Sequence, residues 1–298
     1  MKYAKLPLSI TEQINRLKSR GLIFENDEQA LEWLSNISYY RLRAYTYPFQ
    51  DNRPEGDHHF IKPVTFEDIL ELYYFDSKLR LLFFSAIEKI EIAFRTQIIY
   101  EYAIEYGSHW PMNSSLFTNM GYFEDHSASL NKEVTRSNEE FINHYRNKYS
   151  DPVDPPCWMS LEVTSMGLLS KIFSNLKKGP VKDKILVHFG LKDIDVLTNW
   201  VFCLSILRNT CAHHGRVWNR RFPKIMIPRK TLHSFVNDKS FHPNKLYGYA
   251  LAVMYLSDRV NPGNDFRKHF NDLLKISRLI NDKDMGFPLS WQTEQFWK

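Results

Sequence analysis

Residues 196–216 read VLTNWVFCLSILRNTCAHHGR, an apolar run that ends in a cluster of polar and charged side chains. The apolar part, Val196–Leu207, is typical of a buried helix. Arg208, Asn209 and His213 follow within six residues. Such groups must find partners next to a core, because burying an unpaired charge or imidazole costs free energy. We therefore expect this helix to organise the fold and to carry a specialised site at its end.

An arginine beside a histidine suits phosphodiester chemistry. A guanidinium directs two donors onto phosphate oxygens, and an imidazole that titrates near neutral pH moves protons. On an ideal helix the step from Arg208 to His213 turns by roughly 500°, which leaves the side chains about 140° apart. They share a site only if the arginine reaches round, the last turn loosens near Gly215, or two copies of the chain meet. Asn209 lies one turn before His213, so its amide can orient the imidazole.

The longer string Leu207–Arg220 reads LRNTCAHHGRVWNR and is similar to the signature of the Abi-like (abortive infection) family. Within it, Arg208-Asn209-x-x-x-His213 resembles the Arg-polar-x(3–5)-His motif of the HEPN superfamily of ribonucleases, of which that family is a branch. Residues 74–96 contain a second similar run, YFDxxLR followed by AIExIExxxRT. The resemblance extends over residues 20–225. It implies an all-α, HEPN-like helical bundle with N-terminal and C-terminal helical extensions.

The resemblance implies a metal-independent endoribonuclease that acts in phage defence as a growth-arresting toxin. The 2′-OH of RNA would attack the adjacent phosphate, His213 would serve as acid or base, and Arg208 would offset charge on the phosphorane. In the superfamily two such helices commonly face each other across a dimer, which implies a homodimer with one composite cleft. RNA is then the substrate, a cognate small RNA or an antitoxin is a candidate partner, and no cofactor is expected.

Each of these side chains also has a structural interpretation. His213 is typical of a helix C-terminus, where its positive form suits the helix dipole. His214 is either a second proton carrier or merely an exposed side chain. A basic and aromatic group follows, which either grips an RNA backbone or forms a solvated turn. Its members are Arg216, Trp218, Asn219, Arg220 and Arg221. A non-catalytic RNA-binding or complex-forming module is therefore the alternative function.

A second candidate group lies on the longest predicted helix, which starts at Thr65 and runs to Tyr106 without glycine or proline. Glu88, Glu91 and Arg95 are spaced i, i+3 and i+7 and share one face of it. This face is either a solvated stripe with a modest ion pair or, within the resemblance, a surface turned toward the Arg–His site. In the second case Glu91 and Arg95 support and orient that site.

Breaks in the apolar pattern divide the chain into three segments: an N-terminal helical segment 1–62, a helical core 63–225 with an inserted segment 108–156, and a C-terminal helical extension 226–298. Other helices are predicted near 9–20, 26–35, 131–147, 161–176, 181–189, 245–260 and 265–280. There is no alternating strand series, so the fold class is all-α. The helices at 65–106 and 193–214 carry the longest apolar stripes, and we expect them to pack together.

The composition is that of a globular protein with a mildly basic charge. Of the 298 residues, 43% are hydrophobic and 24% are charged, which argues against disorder. The net charge of +5 suits an anionic partner without proving one. Cys157, Cys203 and Cys211 lack metal-ligand spacing and indicate reduced thiols in the cytoplasm. No run reaches the roughly 18 apolar residues that a membrane span needs, so we expect no membrane association.

Overall fold

Every regular element in the described part of the chain is helical. The computed structural model describes residues 2, 4, 6–228 and 240–297. Within these ranges the chain forms twelve α-helices and several short 3₁₀ turns, with three isolated β-bridges and no strand. The all-α prediction is confirmed. The chain divides into two compact units, residues 1–79 with 270–281 and residues 80–269 with 282–298.

Two of the three N-terminal helices begin where their capping residues predict, and the third was not predicted from the sequence. The three helices are α1 (Ile10–Ser19), α2 (Asp27–Asn36) and α3 (Tyr39–Thr46). At the start of α1 the Ser9 hydroxyl accepts the Glu12 N–H, and the Glu12 carboxylate accepts the Ser9 N–H. The Asn26 side chain caps α2 through the Gln29 N–H. Because these contacts satisfy N–H groups that a helix start leaves without partners, sequence locates both starts.

The longest helix, α4 (Phe66–Tyr106), confirms the prediction for residues 65–106. Thr65 and Asp68 cap its first turn reciprocally, with hydrogen bonds of 2.9 and 3.0 Å. One apolar stripe along it is buried, and its members recur every three or four residues: Leu72, Phe75, Leu79, Phe83, Ile87, Ile90, Phe94, Ile98 and Tyr102. Residues up to Leu79 belong to the first compact unit and the rest to the second. The helix therefore supplies core side chains to each unit.

The larger unit is organised around two helices, α8 and α10. The helices that follow α4 are α5 (Met120–Arg136), α6 (Glu140–Lys148), α7 (Cys157–Ser160), α8 (Met166–Asn175), α9 (Pro180–His188), α10 (Ile194–Ala212), α11 (Leu246–Val260) and α12 (Phe266–Leu273). α8 packs against α5 and α10, and α10 also contacts α9 and α11. We expected α4 to pack closely on α10. α4 meets α10 where Glu91 and Phe84 contact Arg208. α10 also packs closely on α8, and Phe94 of α4 meets Phe173 of α8 edge to face.

The inserted segment 108–156 contains two helices where the sequence predicted one near 131–147. α5 ends at Arg136 because Ser137 takes an extended backbone conformation, and α6 begins at Glu140, after three intervening residues. The Arg146 guanidinium donates to the Val134 carbonyl at 2.6 Å and so satisfies an acceptor at the end of α5. The predicted helices at 161–176 and 265–280 are also shorter in the structure, as the bounds of α8 and α12 show.

Candidate functional site

The candidate site lies at the C-terminal end of α10, the helix that carries the Arg-Asn-x-x-x-His motif. The Asp193 carboxylate caps the start of this helix through the Asp195 N–H, as the sequence predicts. Trp200, Leu204 and Leu207 have no exposed surface, so the apolar run fixes the helix in the core. The motif begins directly after the last of these buried residues and is thereby held at a defined position.

The helix ends in a Schellman motif formed by two histidines and a glycine. His213 is the C-cap, and the N–H groups of His214 and Gly215 donate to the carbonyls of Cys211 and Thr210 at 3.0 and 2.8 Å. His214 takes the left-handed conformation that usually favours glycine, with a φ of 56°. This costs a non-glycine residue roughly 1–2 kcal/mol. Gly215, the predicted stop, serves close packing instead, because a Cβ there would lie 3.1 Å from the Thr210 Cγ2.

Arg208 is held from α4 by a buried carboxylate. Its Nε lies 3.4 Å from Oε2 of Glu91, whose side chain is only 9% exposed. Its guanidinium also lies over the Phe84 ring, 5.4 Å from the ring centre, at the distance of a cation–π contact. A third of the Arg208 side chain, 33%, remains exposed. The arginine is therefore fixed in direction while part of it stays open to an anion.

Glu91 is shared between Arg208 and a second arginine. Its Oε1 accepts a 2.7 Å hydrogen bond from Nη2 of Arg95, which lies one turn later on α4. The same Nη2 donates to the Thr164 carbonyl at 2.9 Å. Arg95 is thus anchored on both sides, and the other oxygen of Glu91 is left to face Arg208. The structure brings Glu91 and Arg95 to Arg208, whereas Glu88 of the same face is exposed.

The remaining motif residues, Asn209 and His213, are exposed at the helix end. The Asn209 Oδ1 accepts a 3.4 Å hydrogen bond from Nη1 of Arg208. The His213 imidazole makes no hydrogen bond within the described residues, so the amide contacts the arginine and not the imidazole. α10 stays α-helical through Ala212, and the angular separation of about 140° between Arg208 and His213 is kept. One chain alone therefore does not pair them.

Comparison with known proteins covers this same site. The sequence model of the Abi-like protein family matches residues 32–219, more than half of the chain. The chain belongs to the Abi-like family. No curated protein and no solved structure matches it. The matched range contains α10 with Arg208 and His213 as well as Glu91 and Arg95 of α4. Membership of the family suggests a role in abortive infection.

Two further arginines of this Abi-like protein follow the motif helix and rest on aromatic rings. The Arg216 guanidinium lies 5.9 Å from the centre of the buried Trp218 ring. The Arg220 guanidinium lies 5.6 Å from the centre of the Phe222 ring, and its Nη1 donates to the Arg216 carbonyl at 3.4 Å. Arg220 is exposed and Arg216 is half-buried. Both charges are therefore directed by packing while remaining accessible.

Lys245, at the start of α11, joins these arginines although the sequence did not indicate it. Its Nζ donates to Oδ1 of Asn219 at 2.9 Å and to the Asp284 carbonyl at 2.8 Å. Burial lowers the pKa of Lys245, Asp284 opposes that shift, and Arg221 and Arg216 lower the pKa further. Since like charges act on a pKa only at short range, these cations lie close together. We call Arg216, Arg220, Arg221 and Lys245 the basic cluster.

Sequence reasoning missed two contacts of the site for different reasons. Phe84 lies seven residues before Glu91. The helical spacing that placed Glu91 and Arg95 on one face of α4 therefore also placed Phe84 on that face. No sequence pattern predicts the Thr164 carbonyl as the acceptor for Arg95, because every residue has a backbone carbonyl. The sequence therefore predicted only some of the contacts around Arg208.

The residues that the structure describes form neither a metal-ligand cluster nor a membrane-spanning helix. No three His, Cys, Asp or Glu side chains among them converge as metal ligands would. None of the helices in those ranges combines the length and the apolar character of a bilayer-crossing segment. The three cysteines are buried and form no disulfide. Burial raises the pKa of Cys157 to about 11, which keeps that thiol protonated and unreactive.

Proposed function

We propose that this Abi-like protein is a metal-independent endoribonuclease of the HEPN superfamily. It would act in the cytoplasm as a toxin-type effector of abortive infection. The observation that carries the proposal is the arrangement at the end of α10. A buried carboxylate, Glu91, fixes the partly exposed Arg208, and His213 lies five residues on with an unbonded imidazole at the helix end. A fixed guanidinium and an open imidazole are what phosphodiester cleavage requires.

The reaction uses the 2′-OH of RNA as the nucleophile. A base accepts the 2′-OH proton while O2′ attacks the adjacent phosphorus, and the P–O5′ bond breaks as an acid protonates the leaving 5′-oxygen. The products are a 2′,3′-cyclic phosphate and a 5′-OH. His213 serves as the acid or the base, and Arg208 stabilises the negative charge that develops on the phosphorane oxygens. DNA, which lacks the 2′-OH, is not cleaved.

We propose that two copies of the chain complete the site. Arg208 is directed toward α4 by Glu91, and His213 lies beyond the last helical residue. An isologous C2 dimer with the α10 ends near its axis would bring two arginines and two histidines into one cleft. RNA is the substrate, and a cognate small RNA or an antitoxin is a candidate partner.

The basic cluster favours one alternative, a module that binds RNA without cutting it. Phosphate contacts by Arg and Lys supply affinity independent of sequence, and the cluster adjoins the motif. In the proposed enzyme, His214, Arg216 and Arg220 hold the RNA backbone beside the scissile phosphate. In the alternative they perform the whole function, and Arg208 and Glu91 only join α10 to α4. The two functions differ in whether an RNA end is produced.

The test is cleavage of a mixed RNA pool by the purified protein in EDTA, with mapping of the new ends. We expect 2′,3′-cyclic phosphate and 5′-OH ends, no cleavage of DNA with the same sequences, and unchanged activity in EDTA. RNA binding without any cleavage would favour the binding module. Activity that depends on an added divalent cation would contradict the proposed mechanism.

A further inference from the structure

A cavity of about 740 Å³ in the larger unit has no role in the site described above. It is lined by residues of α5, α8 and α9 and by the N-terminal half of α10. The volume lies within the range of small-molecule sites. None of its lining residues belongs to the Arg208–His213 site or to the basic cluster.

Two walls of the cavity are joined by a fixed set of hydrogen bonds. Asn175, at the end of α8, donates from its amide to the Asn119 carbonyl at 2.9 Å and accepts the Asn119 N–H at 2.9 Å. Beside this pair, Phe117 and Leu176 form an isolated antiparallel bridge. Asn175 is buried, so the pairing is shielded from water. The cavity is therefore built into the fold before any ligand arrives, which lowers the cost of binding.

Lysines dominate the charge of the cavity. Lys182 is only 3% exposed, and its Nζ donates to the Leu176 carbonyl at 2.6 Å. An ammonium group has three donors, and this is the one hydrogen bond it makes in the described residues. Lys178 is neutralised by Asp195 at 2.8 Å, while the exposed Lys171 has no ion pair there. Burial and Lys178 lower the pKa of Lys182 to about 8, and Asp195 opposes this shift, as expected for a buried cation that no carboxylate pairs with directly.

An aromatic and imidazole surface stands beside these lysines. Tyr122 and Phe202 are exposed and line the cavity. The Tyr122 ring stacks on the His126 ring, with the planes 25° apart. The Nδ1 of His126 is buried without a hydrogen-bond partner. Burial and then Lys171 lower the pKa of His126, and Asp125 raises it, so that lysine and that imidazole are neighbours.

We propose that this cavity binds a free mononucleotide. The phosphate would lie between Lys171 and Lys182, whose charges no carboxylate neutralises directly, and the base would stack on Tyr122 and Phe202. Lysine contacts to phosphate are charge-assisted, and an aromatic face accepts any base. The proposal is independent of the ribonuclease activity, because the two sites share no residue.

The test is calorimetric titration and thermal melting of the full chain with AMP, GMP, CMP and UMP. We expect at least one mononucleotide to bind and, at about a hundredfold excess over its Kd, to raise Tm by roughly 5 °C. Adenosine and inorganic phosphate, which each retain half of the contacts, should bind at least about tenfold more weakly. His213→Ala should leave nucleotide binding unchanged, so failure of the ribonuclease proposal would not affect the result.

Three lysine variants test whether mononucleotides bind in this cavity or elsewhere on the protein. Lys171→Met, at an exposed position, and Lys182→Met should each weaken mononucleotide binding about tenfold, whereas Lys192→Met, an exposed lysine outside the cavity, should not. Absence of binding by all four mononucleotides would overturn the proposal. So would binding that both cavity variants leave intact, or an RNA oligonucleotide that binds through these lysines when mononucleotides do not.

Discussion

The two ends of α10 are built in different ways. Its N-terminal half lines a cavity to which four helices of one chain contribute, with Asp195 already paired to Lys178. Its C-terminal end presents Arg208, held by Glu91 from α4, and His213, whose imidazole has no hydrogen bond within the described residues. The N-terminal half lines a site contained within one chain. The C-terminal end holds its arginine in place but leaves the His213 imidazole without a hydrogen bond in the described residues.

This difference indicates where a second molecule is needed. The cavity has its walls, charges and stacking rings within a single chain, so we expect binding there to be independent of protein concentration. The motif end fixes its arginine but leaves its histidine open and angularly separate. We therefore expect chemistry at this end to require a second copy of the chain together with RNA.

The contrast between the two ends of α10 fails if His213 is dispensable, and its alanine variant should have the largest effect. His213→Ala should lower turnover about 10²–10⁴-fold, the usual weight of general acid–base catalysis. RNA affinity should change little, because the basic cluster remains. Single-turnover cleavage and gel-shift titration measure the two quantities separately. His144→Ala, an exposed histidine on α6, is the matched control and should behave as wild type. Equal turnover by both variants would make the motif structural.

Arg208 should affect both binding and turnover. Arg208→Ala should weaken each by about 10–100-fold, since a guanidinium that contacts phosphate does so in the ground state and in the transition state. Arg208→Lys should restore little, because a point charge does not replace a bidentate fork. Thermal melting of both variants separates this effect from loss of folded protein. Full activity in the lysine variant would show that the fork geometry is irrelevant.

Glu91 tests whether the motif end is anchored from α4. Glu91→Gln keeps the shape but removes the charge that two arginines share, and should lower the free energy of unfolding by about 1–3 kcal/mol. Glu88→Gln, on the same helix face but exposed, should change it by less than about 0.5 kcal/mol. Urea unfolding measures both. Similar values for the two variants would mean that Glu91 does not fix Arg208.

The smallest expected effect concerns Lys182, in the cavity beside the N-terminal half of α10. The pKa of Lys182 in the folded chain, about 8, lies below the ordinary lysine value of 10.5, so the unfolded chain binds more protons between these values. The free energy of unfolding of the wild type should therefore rise from about pH 8 to about pH 10, relative to that of Lys182→Met. Parallel urea midpoints across this range would contradict a buried, unneutralised ammonium group.

Local signals in the sequence located most of the fold. Ser9, Thr65 and Asp193 cap the helices that they were expected to cap, because a cap depends on residues within one turn. The burial of α4 followed from its three-to-four spacing. The break after Arg136 was missed, since Ser137 and its neighbours resemble ordinary exposed helix positions. The left-handed His214 was missed because glycine is the usual residue for that conformation.

The candidate site was only partly predictable. The motif named Arg208, Asn209 and His213, and the spacing of Glu91 and Arg95 suggested a shared face. The join between Glu91 and Arg208 depends on how α4 meets α10, which no local pattern encodes. The cavity was not anticipated at all, because only the fold buries Lys182 and brings the exposed Lys171 to the same cavity.

The composite site is tested most directly by pairing two inactive variants. Differently tagged Arg208→Ala and His213→Ala chains can be co-expressed, and the mixed dimer isolated by two affinity steps. Such a dimer has one intact Arg208 and one intact His213, on different chains. We predict that it cleaves RNA in EDTA clearly faster than either variant homodimer. A mixed dimer as inactive as both homodimers would contradict a cleft shared between two copies.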